Sequence, residues 1–351
     1  MNIWPGIKTM KRILTLLTIG AIFSVFGQSD IPLASWMAHM APQIKNRALT
    51  EIFIPGSHDS ATYNLEYIIA KGQGFSTGLN VIAGRAGIGC TLKKWAQAQG
   101  ESVLTQLESG IRYLDLRVIY RDSEKQFYTV HGLYGPSLSD ILSQITQFIE
   151  QNPKEIVIIQ VGDLRHMPRG TRDHQELISL LQNTFGDKLI PKSLGLQASM
   201  ESIWKQGKQV ALIYNNNTLA KRYDTIFSNK SIDSYWANKN SVPELRKKLS
   251  ERLLKRQKKN NQLYVIQSQL TANRRSIAKS FVSFKKHFNS LKDMAQGVKK
   301  EFPDMLAEWA KYGPAIVQLD FVGKSTSEAV VKMNKTLFKD EDVSSASNLS
   351  I

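Results

Sequence analysis

The chain has 351 residues, 42% hydrophobic and 22% charged, with a single cysteine and a formal charge of +16. That length can bury a substantial core, and the composition excludes a disordered or fibrous chain. Cys90 alone excludes an intramolecular disulfide and any zinc centre with several thiolates.

At the N-terminus, Lys8, Lys11 and Arg12 precede an apolar stretch from Ile13 to Phe26, with Val25 and Gly27 at small-residue positions of a cleavage site. This is the layout of a signal peptide over residues 1–27, so export is expected, to the periplasm, the medium or a peripheral place on the envelope. The apolar run is short for a bilayer span. Residues 1–27 hold three basic and no acidic residues, so the remainder keeps a charge of +13. Such a charge favours an anionic partner, nucleic acid or an acidic lipid surface.

Trp36 to Ile44 reads as a short amphipathic segment. Ile52-Phe53-Ile54 is an apolar run halted by Pro55-Gly56, with His58 directly after it. Tyr63 to Gly100, with Gly72, Gly74, Gly78, Gly84, Gly87 and Gly89, reads as loops around short helices at the rim of a site. Cys90, with no histidine nearby, is expected to be a buried structural thiol. Strand-like runs then fall at Ile111–Val118, Phe127–Val130, Ile156–Val161, Val210–Tyr214, Leu263–Ile266 and Ala315–Leu319. Helical spacing falls at Leu138–Ile149 and Asp173–Phe185. Long aliphatic runs that do not alternate suggest strands covered on both faces, hence an α/β protein.

His58, Asp115, Arg117, His131, Gln160, Asp163 and Asp320 all lie within or just beyond such strands. In a β/α barrel the carboxyl ends of the strands converge on one mouth, so the expectation is an irregular, distorted TIM barrel over residues 28–341, with a flexible tail at 342–351. Glu244–Lys259 is strongly basic, with leucines at helical spacing, and reads as a surface helix or a contact for anionic lipid. A second basic stretch holds Arg274, Arg275, Lys279, Lys285, Lys286 and Lys292. Nucleic acid is disfavoured, because neither stretch has a base-reading motif or an aromatic platform.

Two histidines at strand ends suit general base and general acid roles, and their spacing is not that of a compact metal motif. Asp115 and Arg117 alternate along one strand and so share a face. Arg117 can neutralise a phosphate, with Asp115 orienting it or a substrate hydroxyl. Asp320 can orient a histidine or merely end its strand. Gln160, Asp163, Tyr214, Tyr235 and Trp236 are candidates for the walls of a substrate pocket, although Tyr235-Trp236 reads equally well as core.

The IPGSHDSAT run at 54–62, QLESGIRYLDL at 106–116 followed by Arg117, HG at 131–132 and PKEIVII at 153–159 together resemble the phosphatidylinositol-specific phospholipase C X-domain family, especially its simpler bacterial and X-domain-containing members. The resemblance covers much of residues 34–165. It implies His58 as general base, His131 as general acid, Asp59 as the carboxylate partner of the acid, and Arg117 as the phosphate-binding arginine. Asp115 matches the acidic position of the same strand, and Asp320 is the candidate support for His58. Calcium-dependent relatives carry an asparagine after the first histidine and acidic residues where Arg117 and Gln160 stand here. The resemblance therefore implies no metal and no cofactor.

The implied reaction turns phosphatidylinositol into diacylglycerol and inositol 1,2-cyclic phosphate at a membrane surface. The alternatives are a glycosylphosphatidylinositol or other phospholipid phosphodiesterase, and a non-catalytic module that binds anionic membranes.

Overall fold

The computed structural model describes residues 31–72, 88–164, 166–256, 262–273, 277 and 288–347. Residues 1–27, much of the glycine-rich stretch and most of the second basic stretch lie outside the described residues. Among the described residues ten strands form one sheet: β1 (Ile54–Ser57), β2 (Tyr113–Arg121), β3 (Gln126–His131), β4 (Leu133–Ser137), β5 (Val157–Gly162), β6 (Val210–Tyr214), β7 (Ile226–Ser228), β8 (Ile232–Tyr235), β9 (Leu263–Gln267) and β10 (Ile316–Leu319). Parallel pairing runs in the order β7-β6-β5-β2-β1-β10-β9-β8, and among the described residues no ladder joins β7 to β8. The result is the expected distorted TIM barrel, curled and open on one side. The hairpin β3–β4 continues antiparallel from the outer half of β2.

Among the described residues, eight helices of six residues or more surround the sheet: α1 (Ile88–Ala96), α2 (Val103–Glu108), α3 (Leu138–Gln151), α4 (Thr171–Phe185), α5 (Val242–Leu254), α6 (Leu291–Trp309), α7 (Lys324–Ser347) and the short helix Met200–Lys205. Local chemistry sets their starts. Ser102, Ser137 and Ser290 each accept a hydrogen bond from the backbone N–H three residues on, satisfying a donor that the first turn leaves free. α3 buries Leu138, Ile141, Leu142, Ile145, Phe148 and Ile149, the spacing of one helical face.

Strand alternation divides the side chains between two layers. Leu114, Leu116, Val118, Val157, Ile159, Val161, Val210 and Leu212 join the helices in the main core. The intervening positions face the barrel interior, and there β1 must come close to its neighbours. A Cβ at Gly56 would lie 3.0 Å from the Tyr113 ring and 3.1 Å from Ile316. Pro55 and Gly56 therefore belong to β1 rather than halting it, which corrects the sequence expectation.

Gly110 turns the chain into β2 with φ +104, accepts a hydrogen bond from the Trp36 indole at 3.0 Å, and leaves only 2.9 Å between a built Cβ and Ser327 Cβ. Gly110→Ala should destabilise the fold by roughly 2–4 kcal/mol, from backbone strain plus overpacking. An unchanged urea midpoint would show that this corner yields freely.

Three further expectations meet the structure here. Cys90 is exposed on α1, not buried, so the general tendency of free thiols to pack inside does not hold at this position. Residues 342–347 of the expected tail continue α7, and 348–351 lie outside the described residues. Residues 244–254 of the basic tract lie in α5, which buries Leu245, Leu249 and Leu253, and several of the tract's cations have partners within the chain; residues 257–259 lie outside the described residues. Arg246 pairs with Glu308 at 2.8 Å, Arg252 with Asp233 at 2.9 Å, and Arg256 caps the carbonyls of Tyr312, Gly313 and Pro314. No described helix is long and apolar enough to cross a membrane.

Candidate active site

The carboxyl ends of the parallel strands open on a cleft of about 610 Å³, lined among others by His58, Asp115, Arg117, His131, Gln160, Asp163 and Asp320. His58 stands one residue beyond β1, its N–H bonded to Leu319 O at 3.0 Å as the last rung of the β1–β10 seam. Across that seam its Nδ1 lies 2.7 Å from Asp320 Oδ1. A carboxylate can only accept, so Nδ1 carries the proton and Nε2 faces the cleft. Arg117 Nη2 lies 3.0 Å from that Nε2.

Asp59 follows with φ +43, a strained conformation for a side-chain-bearing residue, and its N–H reaches Asp115 Oδ2 at 3.3 Å. This turn drives the Asp59 carboxylate under the cleft, where both oxygens are buried and without in-line hydrogen bonds. Its partners are charges: Arg117 Nε against Oδ1, His131 Nε2 at 3.4 Å and His58 Nε2 at 3.5 Å from Oδ2. The resemblance implies Asp59 as the partner of His131; the structure sets it beside His131 and also beside His58, the two ring centroids 6.5 Å apart.

His131 arrives from β3, at the tight β3–β4 connection where Gly132 has φ +72. Its Nδ1 lies 2.6 Å from Ala96 O. A carbonyl cannot donate, so Nδ1 is protonated and Nε2, beside Asp59, is the nitrogen free to exchange a proton.

Electrostatics follow from this packing. Burial alone would depress the His58 imidazolium, but the Asp59 and Asp320 carboxylates outweigh burial and the opposing Arg117 charge, raising its pKa to about 9. For Asp59 burial pushes upward, and Arg117, His131 and His58 together prevail and lower it. Burial leaves Asp320 raised. Arg117 is raised, because Asp59, Asp115, Asp163 and Asp320 together overcome its own desolvation.

His58, Asp59 and Asp115 offer ligand atoms within 4.8 Å of one another, the spacing a metal ion needs. Yet the Arg117 guanidinium already lies against Asp59, 3.8 Å from Asp115 Oδ2 and 3.0 Å from His58 Nε2. Two carboxylates and a ring nitrogen around a resident cation do not fit calcium, which takes six to eight oxygen ligands.

Gln160 lies in register with Asp115 and is held by the Tyr113 hydroxyl and by Asn229 at 2.7 Å. Two proposed wall residues are elsewhere. Tyr214 is in register with Val161 on the helix side, fully buried, and meets His174 Nδ1 at 2.8 Å through its hydroxyl. Tyr235 is in register with Ile266, also on the helix side, under the Arg252 guanidinium. Neither tyrosine lines the cleft, which corrects the sequence expectation for both. Their neighbours Asn215, Ser234 and Trp236 face the cleft instead, joined by Gln267 and Gln318. Period-two alternation carried from Gln160 across the parallel register would have found Asn215 and excluded Tyr214.

Residues 90–216 match the family model for the phosphatidylinositol-specific phospholipase C X domain. The chain is 32% identical to human PI-PLC X domain-containing protein 2 over 256 residues, covering 72% of this chain and 83% of that protein. It is 31% identical to the mouse protein 2, covering 88% and 90% of the two chains. Among solved structures, phosphatidylinositol-specific phospholipase C from Listeria monocytogenes superposes with a TM-score of 0.59 at 20% identity, over 86% of this chain and 99% of that one. A variant of the corresponding Staphylococcus aureus protein gives 0.58 at 17% identity, over 86% and 97%.

Proposed function

The chain belongs to the phosphatidylinositol-specific phospholipase C X-domain family, and from that premise we propose that it cleaves phosphatidylinositol to diacylglycerol and inositol 1,2-cyclic phosphate without calcium. The observation that carries the reading is the pair of imidazole Nε2 atoms flanking one buried carboxylate, with a guanidinium 3.0 Å from His58 Nε2. His58 takes the proton of the inositol 2-hydroxyl, whose oxygen forms the new bond to phosphorus. The bond from phosphorus to the diacylglycerol oxygen breaks, and His131 gives that oxygen its proton. Arg117 neutralises charge on the nonbridging oxygens, the work a metal would otherwise do. The nucleophile belongs to the substrate, so no protein nucleophile is needed.

The remaining lining favours a ring that carries no further phosphate. Asp115, Asp163 and Asp320 supply negative charge, Arg117 is the one lysine or arginine among the described residues that line the cleft, and amides occupy much of the rest. Trp236, half exposed on the cleft wall, and the exposed Tyr67 and Ile68 offer apolar contact for a lipid surface. With the leader-like segment 1–27, the reaction is proposed to occur after export.

Vesicles of phosphatidylcholine with phosphatidylinositol test this directly. Diacylglycerol and inositol cyclic phosphate should appear at an undiminished rate in excess calcium chelator. Vesicles bearing phosphatidylinositol 4,5-bisphosphate should be cleaved at least about tenfold more slowly, the discrimination expected for unpaired like charge. Binding without turnover would reject catalysis, and loss of turnover in chelator would reject the role given to Arg117.

A further inference from the structure

The segment Ala96–Gln99, the last residue of α1 and the three that follow it, bonds to both histidines and to the neighbours of Asp59 and Asp320, although it has no ionisable side chain. Ala96 O receives the His131 Nδ1 proton at 2.6 Å. Ala98 N–H donates to Thr62 Oγ1 at 3.1 Å, and that hydroxyl donates to Asp59 O at 2.7 Å. Ala98 O accepts from Phe321 N–H at 2.7 Å, the residue after Asp320. Gln99, fully buried, spends one side-chain amide on three backbone groups: Nε2 donates to His58 O at 2.7 Å and Leu319 O at 3.1 Å, and Oε1 accepts from Val322 N–H at 3.0 Å.

These contacts fall where the sheet stops helping. The β1–β10 register ends at Ser57 and Leu319, one residue short of His58 and Asp320 on either strand. Beyond it the chain turns at Asp59 and Phe321, with φ of +43 and +47, conformations that persist only when neighbours hold them.

We propose that Gln99 is a positioning residue, whose amide grips the backbone behind His58 and on both sides of Asp320 so that imidazole and carboxylate stay in hydrogen-bond contact across the open end of the seam. The proposal rests on the acid–base reading above. Gln99 touches neither the reacting atoms nor either side chain of the pair. Its effect is geometric: a base displaced by a fraction of an ångström loses its line to the hydroxyl while the ring-binding wall across the cleft stays in place.

Gln99→Met keeps the volume and removes all three bonds; Gln99→Glu keeps the acceptor for Val322 and removes both donors. Each should lower kcat for phosphatidylinositol cleavage by at least about 30-fold with KM changed less than about threefold. In histidine-resolved NMR without substrate, the His58 ring should titrate at least about one pH unit lower in Gln99→Met, which adds no charge, as the Asp320 contact loosens. Asn334→Ala is the control. That equally buried amide grips Phe53 N and O at the far end of β1, at 2.7 and 2.9 Å, so its loss should lower the melting temperature and leave kcat and the His58 titration unchanged.

Gln99 variants that melt earlier yet keep kcat and the His58 titration overturn the proposal. So does failure of both variants to fold while Asn334→Ala folds, since that assigns the amide to the fold. If the unaltered protein does not cleave the lipid but the His58 titration still shifts in the Gln99 variants, the functional reading fails and the positioning role stands.

Discussion

His58→Ala and His131→Ala should each lower kcat for phosphatidylinositol cleavage by about 10³–10⁴-fold, with lipid binding retained. The size follows from what remains in either variant. Arg117 still neutralises the phosphate and the substrate still holds its own nucleophile, but one proton has no carrier. Asp320→Asn is the sharper probe, because it keeps the shape and removes a charge 2.7 Å from His58 Nδ1. A general base must be unprotonated to act, so kcat/KM of the native protein should rise with pH and level off near the His58 pKa of about 9. In Asp320→Asn, burial and Arg117 act on His58 with one carboxylate fewer opposing them, so this acid limb should move to lower pH by at least about one unit.

Stability should move with the same group. The folded pKa of His58 is raised from 6.5 to about 9, so its contribution is fully present below about 6.5 and is lost as pH rises through 9. Urea midpoints should therefore fall between pH 7 and 9.5, and fall less in Asp320→Asn. An acid limb that stays in place in Asp320→Asn would remove His58 from the role of base.

Much of this was legible because the barrel converts strand order into proximity. His58, Arg117 and Asp320 lie in or just beyond apolar runs of three parallel strands whose carboxyl ends meet at one mouth, and the antiparallel hairpin β3–β4 carries His131 back to it. What escaped the sequence had weak or opposing signals. β4 contains Gly135-Pro136, β7 has three residues, and β8 reads Ile-Asp-Ser-Tyr, none of them an aliphatic run. Tyr235 ends β8 and Trp236 follows it, so the two aromatic side chains point to opposite faces although they stand side by side in the sequence. Gln99 has no periodic signal at all: its work is done on three carbonyl and amide groups, which composition and spacing cannot reveal.

The motifs themselves divide between the two ends of the barrel. Arg112 of QLESGIRYLDL and Glu155 of PKEIVII lie before β2 and β5, opposite the cleft, fully buried and 2.8 Å apart. Arg112 also donates to the carbonyls of Leu33, Ala34, Leu107 and Ile111 and stacks 4.5 Å from the Phe148 ring centroid. Glu155 accepts from the Met37 and Ala38 N–H groups at 3.2 and 2.9 Å. One ion pair thus clamps the segment before β1 to the starts of two strands.

Arg112→Met should cost about 3–5 kcal/mol, since it strands a buried carboxylate and several carbonyls. That is a large share of the 5–15 kcal/mol typical of whole domains. Apolar replacement of both members of a buried pair is often nearly neutral. Here it should not be, because Arg112→Met with Glu155→Leu leaves four carbonyls and two N–H groups without their partners. The double variant should unfold at no higher urea concentration than Arg112→Met, and Arg112→Lys, a point charge in place of a five-donor fork, should fall between the single variant and the native protein. Recovery of native stability in the double variant would reduce the clamp to an ordinary ion pair.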